Sequence, residues 1–267
     1  MSTKSTGDGP PRRTTVAIKK VLDQRDVKVV YQPIVDLKTK RCFAYEALVR
    51  SKSDDFQGPM DLFAAAVKHT VTGQLGRIIR EMAVEGCPGS PLFLNIHPAE
   101  LNEKFVVQPD DPIFTHSEDV YLEITEGVPL SHFRLCQSIL AEVRQRGVYL
   151  VVDDLGAGYS NLRYIADIQP RIVKLDRDLV AGLRQGTRMF KLVAAIVVLC
   201  RELDAQVVAE GIETVEELEA VQAAGCRYGQ GYLLARPAFP PPPITWPASV
   251  TPRVTMRKLE QVIPKKK

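Results

Sequence analysis

The chain puts a carboxylate, an amide or an ammonium at the end of one short apolar segment after another. Glu46 closes "AYEAL", Asn95 "FLNI", Glu123 "YLEIT", Glu210 "VVAEG" and Gln230 "GQGY"; Lys174 and Asp176 close "IVKLD". The stretch "VYLVVDDLGAGYS", residues 148–160, ends its apolar run in two adjacent aspartates, Asp153 and Asp154, with Gly156 and Gly158 close behind. A single carboxylate after a strand is commonly a helix cap or a turn residue. Several on one rim repel one another and resist ionising, and a divalent cation relieves that repulsion. Oxygen donors from Asp, Glu and Asn, without His or Cys, suit Mg²⁺ or Mn²⁺ rather than Zn²⁺. Two adjacent aspartates on one turn can reach two cations, one of them bridging, and metals about 3.5–4 Å apart suit in-line attack on a phosphodiester.

These side chains meet only if their segments lie side by side. The segments "KVVYQPIV", "CFAYEALV", "LFLNI", "VYLEIT", "VYLVVDD", "RIVKLD", "QVVAEG" and "GQGYLL" are short, β-branched and nearly continuous in apolar character. That pattern belongs to parallel strands covered on both faces. Helical patterns lie between them. At 131–147, Phe133, Leu135, Ile139, Leu140 and Val143 share a side and Gly147 supplies the stop. At 214–225, Thr214 and Glu217 form a capping box and Gly225 ends the pattern. The first two strands are too close for a helical crossover and read as an antiparallel hairpin. The rest reads as repeated βα units, which favours an α/β fold of the TIM (β/α)8 barrel type over a doubly wound open sheet. In a barrel the strand ends converge on one rim, where barrel enzymes carry out their chemistry.

A length of 267 residues with 45% hydrophobic content provides one sizeable core, and a net charge of +3 is far from the basic field of a nucleic-acid binder. The cysteines Cys42, Cys87, Cys136, Cys200 and Cys226 are scattered and odd in number. That argues against a disulfide or zinc framework and for a reducing, cytoplasmic setting. The start lacks the apolar run of a signal peptide, and the apolar stretch 192–200 is too short to cross a membrane. The expected organisation is a flexible N-terminal tail over 1–15, a catalytic domain over 16–240, and a Pro-rich, basic C-terminal tail over 241–267.

In order along the chain, "YEALVR", "FLNIHP", "YLEITE", "VVDDLGAGYSNL", "IVKLDRDLV", "VVAEGIET" and "GQGYLLARP" resemble the EAL domain family of cyclic di-GMP phosphodiesterases, which takes its name from Glu46-Ala47-Leu48 here. The resemblance implies a modified TIM barrel with one antiparallel strand near its start, and hydrolysis of cyclic di-GMP to linear pGpG in bacterial second-messenger signalling. It implies that Glu46, Asn95, Glu123 and Asp153 hold a first Mg²⁺ or Mn²⁺, and that Asp153 and Asp154 hold a second. Glu210 resembles a glutamate that binds the second metal or acts as base on the attacking water. Lys174 resembles the lysine that holds that water, and Gln230 the glutamine completing its network. Glu126 resembles the glutamate that steadies the loop after the aspartate pair. Gln32, Leu48, Arg50 and Asp176 correspond to substrate contacts, with Arg50 on a phosphate.

The loop departs from the family's usual DDFGTGYS: Leu155 stands for the Phe and Ala157 for the Thr. The segment "SKSDDFQGPMDLF" after Arg50 lacks a Trp common in the family. All metal and water positions are present, so an enzyme is expected. The alternatives are a catalytically weak or silent cyclic di-GMP receptor or interaction module, and a barrel enzyme acting on another phosphoester. The resemblance also implies a homodimer contacting through "RYIADIQP", and leaves room for a regulatory protein partner. His97 reads as a local hydrogen-bonding residue, Glu213 as strand-end support or a cap, and Tyr228 and Tyr232 as core.

Overall fold

The computed structural model describes residues 11–102, 106, 108–125, 130–157 and 162–248. Eight strands close into a barrel in chain order: β1 (Val27–Asp36), β2 (Arg41–Ser51), β3 (Leu92–Asn95), β4 (Val120–Thr125), β5 (Tyr149–Leu155), β6 (Ile172–Leu175), β7 (Gln206–Ala209) and β8 (Tyr228–Gly229). β1 runs antiparallel to both of its neighbours, β2 and β8; every other pairing is parallel. The expected hairpin at the start and the βα repeats after it are therefore both present.

Nine helices surround the barrel among the described residues: α1 (Pro11–Gln24), α2 (Pro59–Lys68), α3 (Thr72–Gly86), α4 (Pro98–Asn102), α5 (Leu130–Gln145), α6 (Arg163–Ile168), α7 (Arg177–Val180), α8 (Arg188–Glu202) and α9 (Val215–Ala224). The α9 boundaries follow the sequence signals. The Thr214 side chain accepts from the Glu217 backbone, Glu217 reaches back to Thr214, and Gly225 ends the helix with φ of 93°. α1 begins at Pro11, earlier than the expected end of the N-terminal tail, and buries Ala17, Ile18 and Val21.

Strand residues alternate between two cores. Leu94, Leu122, Val152, Val173 and Val207 face outward into the large apolar layer under the helices. Ile34, Ala44, Phe93, Tyr121, Val151, Ile172, Val208 and Tyr228 face inward and fill the barrel. Aromatic rings dominate this plug: Phe93 stacks on Tyr121 at 4.5 Å and Phe43 on Tyr228 at 4.2 Å between centroids.

Two segments differ from the sequence reading. "GQGYLL" forms a strand only at its start, because Gly231 lies against the backbone of Ile212 so closely that a Cβ would collide with it. The chain turns there instead of extending the sheet. The Pro-rich stretch from 238 to 246 is not loose: Ala238 exchanges backbone hydrogen bonds with Tyr31, the Tyr45 hydroxyl donates to the Pro242 carbonyl, and Trp246 packs on the core.

Candidate active site

The inward plug predicts where the site must be. Moving two residues along each strand keeps a side chain on the same face. From Phe93, Tyr121, Val151, Ile172, Val208 and Tyr228, that step reaches Asn95, Glu123, Asp153, Lys174, Glu210 and Gln230. On the hairpin it leads from Ala44 to Glu46 and, in the opposite chain direction, from Ile34 to Gln32. Gln32 and Glu46 are directly paired across β1 and β2. Each strand therefore adds one polar group to a single layer above an apolar floor.

Lys174 stands in the middle of that layer, 1% exposed. Its Nζ lies 2.6 Å from Glu123 Oε1, 2.7 Å from Glu210 Oε1, 3.1 Å from Asp153 Oδ1 and 3.4 Å from Glu46 Oε1. Gln230 Nε2 donates to Glu46 Oε2 at 2.5 Å and to Gln32 Oε1 at 3.1 Å, and Asn95 Nδ2 donates to Glu46 Oε1 at 3.3 Å. Gln230 is itself tied to β7, its backbone N–H donating to Ala209.

Asp154 breaks the alternation. On a regular strand it would point away from the barrel. It adopts φ of 59°, in the left-handed region, and the pairing of β5 with β6 shifts register between Val152 and Leu155. This kink brings carboxylate oxygens of Asp153, Asp154 and Glu210 within 4.8 Å of one another. The paired aspartates of the sequence thus become two neighbouring acids on one rim.

The electrostatics follow from burial and crowding. Burial pushes the Glu123 carboxyl well above its ordinary range, and Glu46 and Asp153 add to this. Burial also raises Glu210, to about 8, and Asp154, to about 6, with Asp153 contributing to each. Burial would raise Glu46 too, but Lys174 and the donors Gln230 and Asn95 outweigh it and hold that carboxyl low. Burial disfavours the Lys174 ammonium, yet the surrounding carboxylates keep its proton bound well above the usual lysine range.

The cluster fits divalent cations. With all five carboxylates ionised (Glu46, Glu123, Asp153, Asp154 and Glu210) against one ammonium, the surplus would be four negative charges, which two divalent ions would balance. Glu123 Oε2 is buried without a hydrogen-bond partner among the described residues. The donors are oxygen throughout, which suits Mg²⁺ or Mn²⁺.

Above the ring lies a cleft of about 280 Å³ lined by Gln32, Glu46, Leu48, Arg50, Glu210 and Gln230 together with Arg177, Glu213 and Tyr232. It adjoins a groove of about 650 Å³ that also borders Arg50 and Tyr232 and adds Lys28 and Arg236. Gln32, Leu48 and Arg50 line the cleft; Asp176 does not, although its charge lies near enough to Asp154 to help raise that carboxyl. The Asp176 side chain caps α7, accepting from the Asp178 N–H at 2.8 Å. Asp176 follows Lys174 on the same alternation, but the strand has ended and the helix start claims its carboxylate. Glu126 lies outside the described residues, as does most of the loop after Ala157.

Sequence reasoning missed Arg177 and set Tyr232 aside as core. Tyr232 is 49% exposed, with Arg236 over its ring at 4.3 Å. Arg177 pairs with Glu213 at 3.0 Å. Both positions follow a strand end by a few residues, the one signal that could have flagged them. His97 has the local role expected of it: its Nδ1 accepts from the Ala99 N–H, and its ring stacks on Phe63 at 5.4 Å.

The model of the EAL domain family matches residues 15–237. The chain belongs to the EAL domain family. A cyclic di-GMP phosphodiesterase of Pseudomonas aeruginosa is 32% identical over 225 residues, which cover 79% of this chain and 38% of that protein. This EAL domain thus spans well under half the length of that curated relative. Among solved structures, BlrP1 of Klebsiella pneumoniae in a calcium and cyclic di-GMP complex aligns with a TM-score of 0.70 at 30% identity, covering 80% of this chain and 56% of that one. The same protein in a manganese and cyclic di-GMP complex aligns with a TM-score of 0.67 at 30% identity and the same coverage.

Proposed function

We propose that this EAL domain is a metal-dependent phosphodiesterase that opens cyclic di-GMP to linear pGpG. The observation that carries the reading is the ring of carboxylates around Lys174 at the mouth of the barrel, directly below a cleft edged with cations. Its relatives' names and bound ligands agree with that chemistry.

Glu46, Asn95, Glu123 and Asp153 would hold one Mg²⁺ or Mn²⁺, and Asp153 and Asp154 a second. Bound there, the two ions would balance the surplus carboxylate charge and draw electron density from the phosphate and from water. The chain's own groups account for the rest. Arg50 engages a phosphodiester oxygen, and the adjoining groove with Lys28 and Arg236 takes the bulk of a doubly anionic dinucleotide. Water attacks phosphorus, the bond from phosphorus to the 3′ oxygen breaks, and the ring opens to a 5′-phosphate and a 3′-hydroxyl. Glu210 accepts the water's proton at its carboxylate, and the departing oxygen takes a proton from solvent. Lys174 offsets the negative charge that develops beside it. Gln230 and Gln32 fix the orientation of Glu46 beneath the substrate.

The test is turnover of cyclic di-GMP with Mg²⁺ or Mn²⁺, followed chromatographically as pGpG, with EDTA as the control. Product formation that stops in EDTA is the expected result. Turnover that persists in excess EDTA would exclude the two-metal reading. Tight binding without product would make the domain a receptor.

A further inference from the structure

Arg80 lies on α3, outside the barrel, and touches none of the groups above. It is 1% exposed, and it is gripped by two carboxylates that are themselves fully buried, Glu100 and Asp111. Nη1 donates to Glu100 Oε2 at 2.5 Å and Nη2 to Asp111 Oδ2 at 2.8 Å. Taking such a cluster out of water costs several kcal/mol per ion, and well-packed apolar side chains often hold helices together as well or better. Stability alone is therefore a weak reason for it, and the question is what the cluster holds in place.

Its Glu100 branch leads to the site. Glu100 Oε1 accepts from the backbone N–H of His97 at 2.9 Å, and His97 Nδ1 accepts from the Ala99 N–H at 3.2 Å. The two together form a reciprocal cap on the first turn of α4, with an imidazole where a hydroxyl is usual. Glu100 presses so closely on α3 that a Cβ at Gly76 would collide with its carboxylate. His97 follows Asn95 by two residues. The intervening Ile96 N–H donates to the Glu123 carbonyl at 3.1 Å. The turn that ends β3 is thus held by β4 on one side and by the Arg80–Glu100 clamp on the other. Asn95 is exposed, and its one described side-chain bond is the 3.3 Å contact to Glu46, so its aim depends on that backbone turn.

We infer that Arg80 is a positioning residue. Through Glu100 it fixes the turn that directs Asn95 into the carboxylate ring, and so it sets the affinity of the ring for a divalent cation. The inference rests on the two-metal reading above. Asp111 provides an internal control. It is the other half of the clamp, but it accepts from the Ile113 N–H at the short helical turn Pro112–Phe114 and makes no described hydrogen bond to α4, meeting Glu100 only as a like charge.

The experiment compares Arg80→Met, Glu100→Leu, Glu100→Gln and Asp111→Asn with the parent chain. Two quantities are read: Mn²⁺ binding to metal-free protein by calorimetry, and the Asn95 side-chain amide resonance, assigned through Asn95→Asp. Arg80→Met and Glu100→Leu are expected to shift the resonance and weaken Mn²⁺ binding about tenfold, the usual order for loss of a group that orients a metal ligand. Glu100→Gln keeps an acceptor for the His97 N–H and recovers most of both. Asp111→Asn lowers the melting temperature but leaves both readouts in place. Arg80→Lys keeps the charge without the planar fork; it shows the same change in smaller measure and serves if Arg80→Met does not fold. An unmoved Asn95 resonance with unchanged Mn²⁺ affinity in Arg80→Met overturns the inference, as does an equal effect from Asp111→Asn. A parent chain that binds no Mn²⁺ refutes the two-metal reading instead, and the Asn95 resonance still decides the role of Arg80.

Discussion

Lys174 sits where four carboxylates converge, so its removal has two separable consequences. In metal-free protein, Lys174→Met leaves those groups without their counter-charge, and breaking a buried pair of this kind costs about 3–5 kcal/mol. Mg²⁺ should restore part of the loss by binding the folded state; chemical denaturation with and without Mg²⁺ measures this. In the loaded enzyme, the same change should lower kcat about 10²–10³-fold with little effect on KM, because the ammonium acts on charge that develops during reaction. A change confined to KM would assign Lys174 to substrate binding. Asp154 makes the opposite trade. Asn tolerates the left-handed backbone, so Asp154→Asn removes one crowded charge at no conformational cost. The variant should unfold at a higher temperature than the parent in EDTA and have lost most turnover. Asp154→Ala, which meets the left-handed strain of about 1–2 kcal/mol, should be less stable than Asp154→Asn.

At the scale of the elements, Glu217 connects α9 to the rim. Its Oε1 accepts from the Gly182 N–H at 2.8 Å, and its Oε2 from the backbones of Glu213 and Thr214 at 2.9 and 3.0 Å. The turn carrying Glu210 and Gly211 is therefore anchored at its far end by this cap. Burial works to raise the Glu217 carboxyl, but the N–H donors outweigh it and its proton affinity is lowered. A lowered folded pKa contributes stability above the unfolded value of about 4.3 and loses it as pH falls through the folded value. Glu217→Ala should thus cost about 1–2 kcal/mol at pH 7, and the gap from the parent should narrow in the acid range below about pH 4. Urea denaturation across pH 3–7 gives the answer; a gap independent of pH would mean that the carboxylate charge contributes nothing.

For the molecule as a whole, the proposed site depends on the loop that follows β5, with its Leu155 and Ala157 departures. Leu155 is buried in the outer core and Ala157 is exposed, so neither change disturbs the described end of the strand. We expect a homodimer in which α6 and the residues after it lie near the contact, so that association raises turnover. Specific activity should then rise with protein concentration while sedimentation reports dimer formation. A monomer whose activity is unchanged by dilution would remove the coupling. No helix among the described residues is long and apolar enough to cross a membrane.

The strands, the opening hairpin, the α9 cap and most of the ring were legible in the sequence, for one reason. A buried parallel strand reads as an apolar run, and a polar residue at its end stands out against it. The shared layer was implicit in the same period: Phe93 to Asn95, Tyr121 to Glu123 and Ile172 to Lys174 are each a step of two. What only the tertiary structure decided lies where local geometry overrides that period. Asp154 joins the rim through a left-handed kink, whereas Asp176 is drawn off to cap α7, and the local sequence does not distinguish the two. Arg177 and Tyr232 reach the cleft from beyond their strand ends, where no periodicity operates. The Arg80, Glu100 and Asp111 cluster joins residues 20 and 31 positions apart in the chain. Only the fold, by burying all three together, turns them into one ion cluster, whose Glu100 branch holds the turn after Asn95.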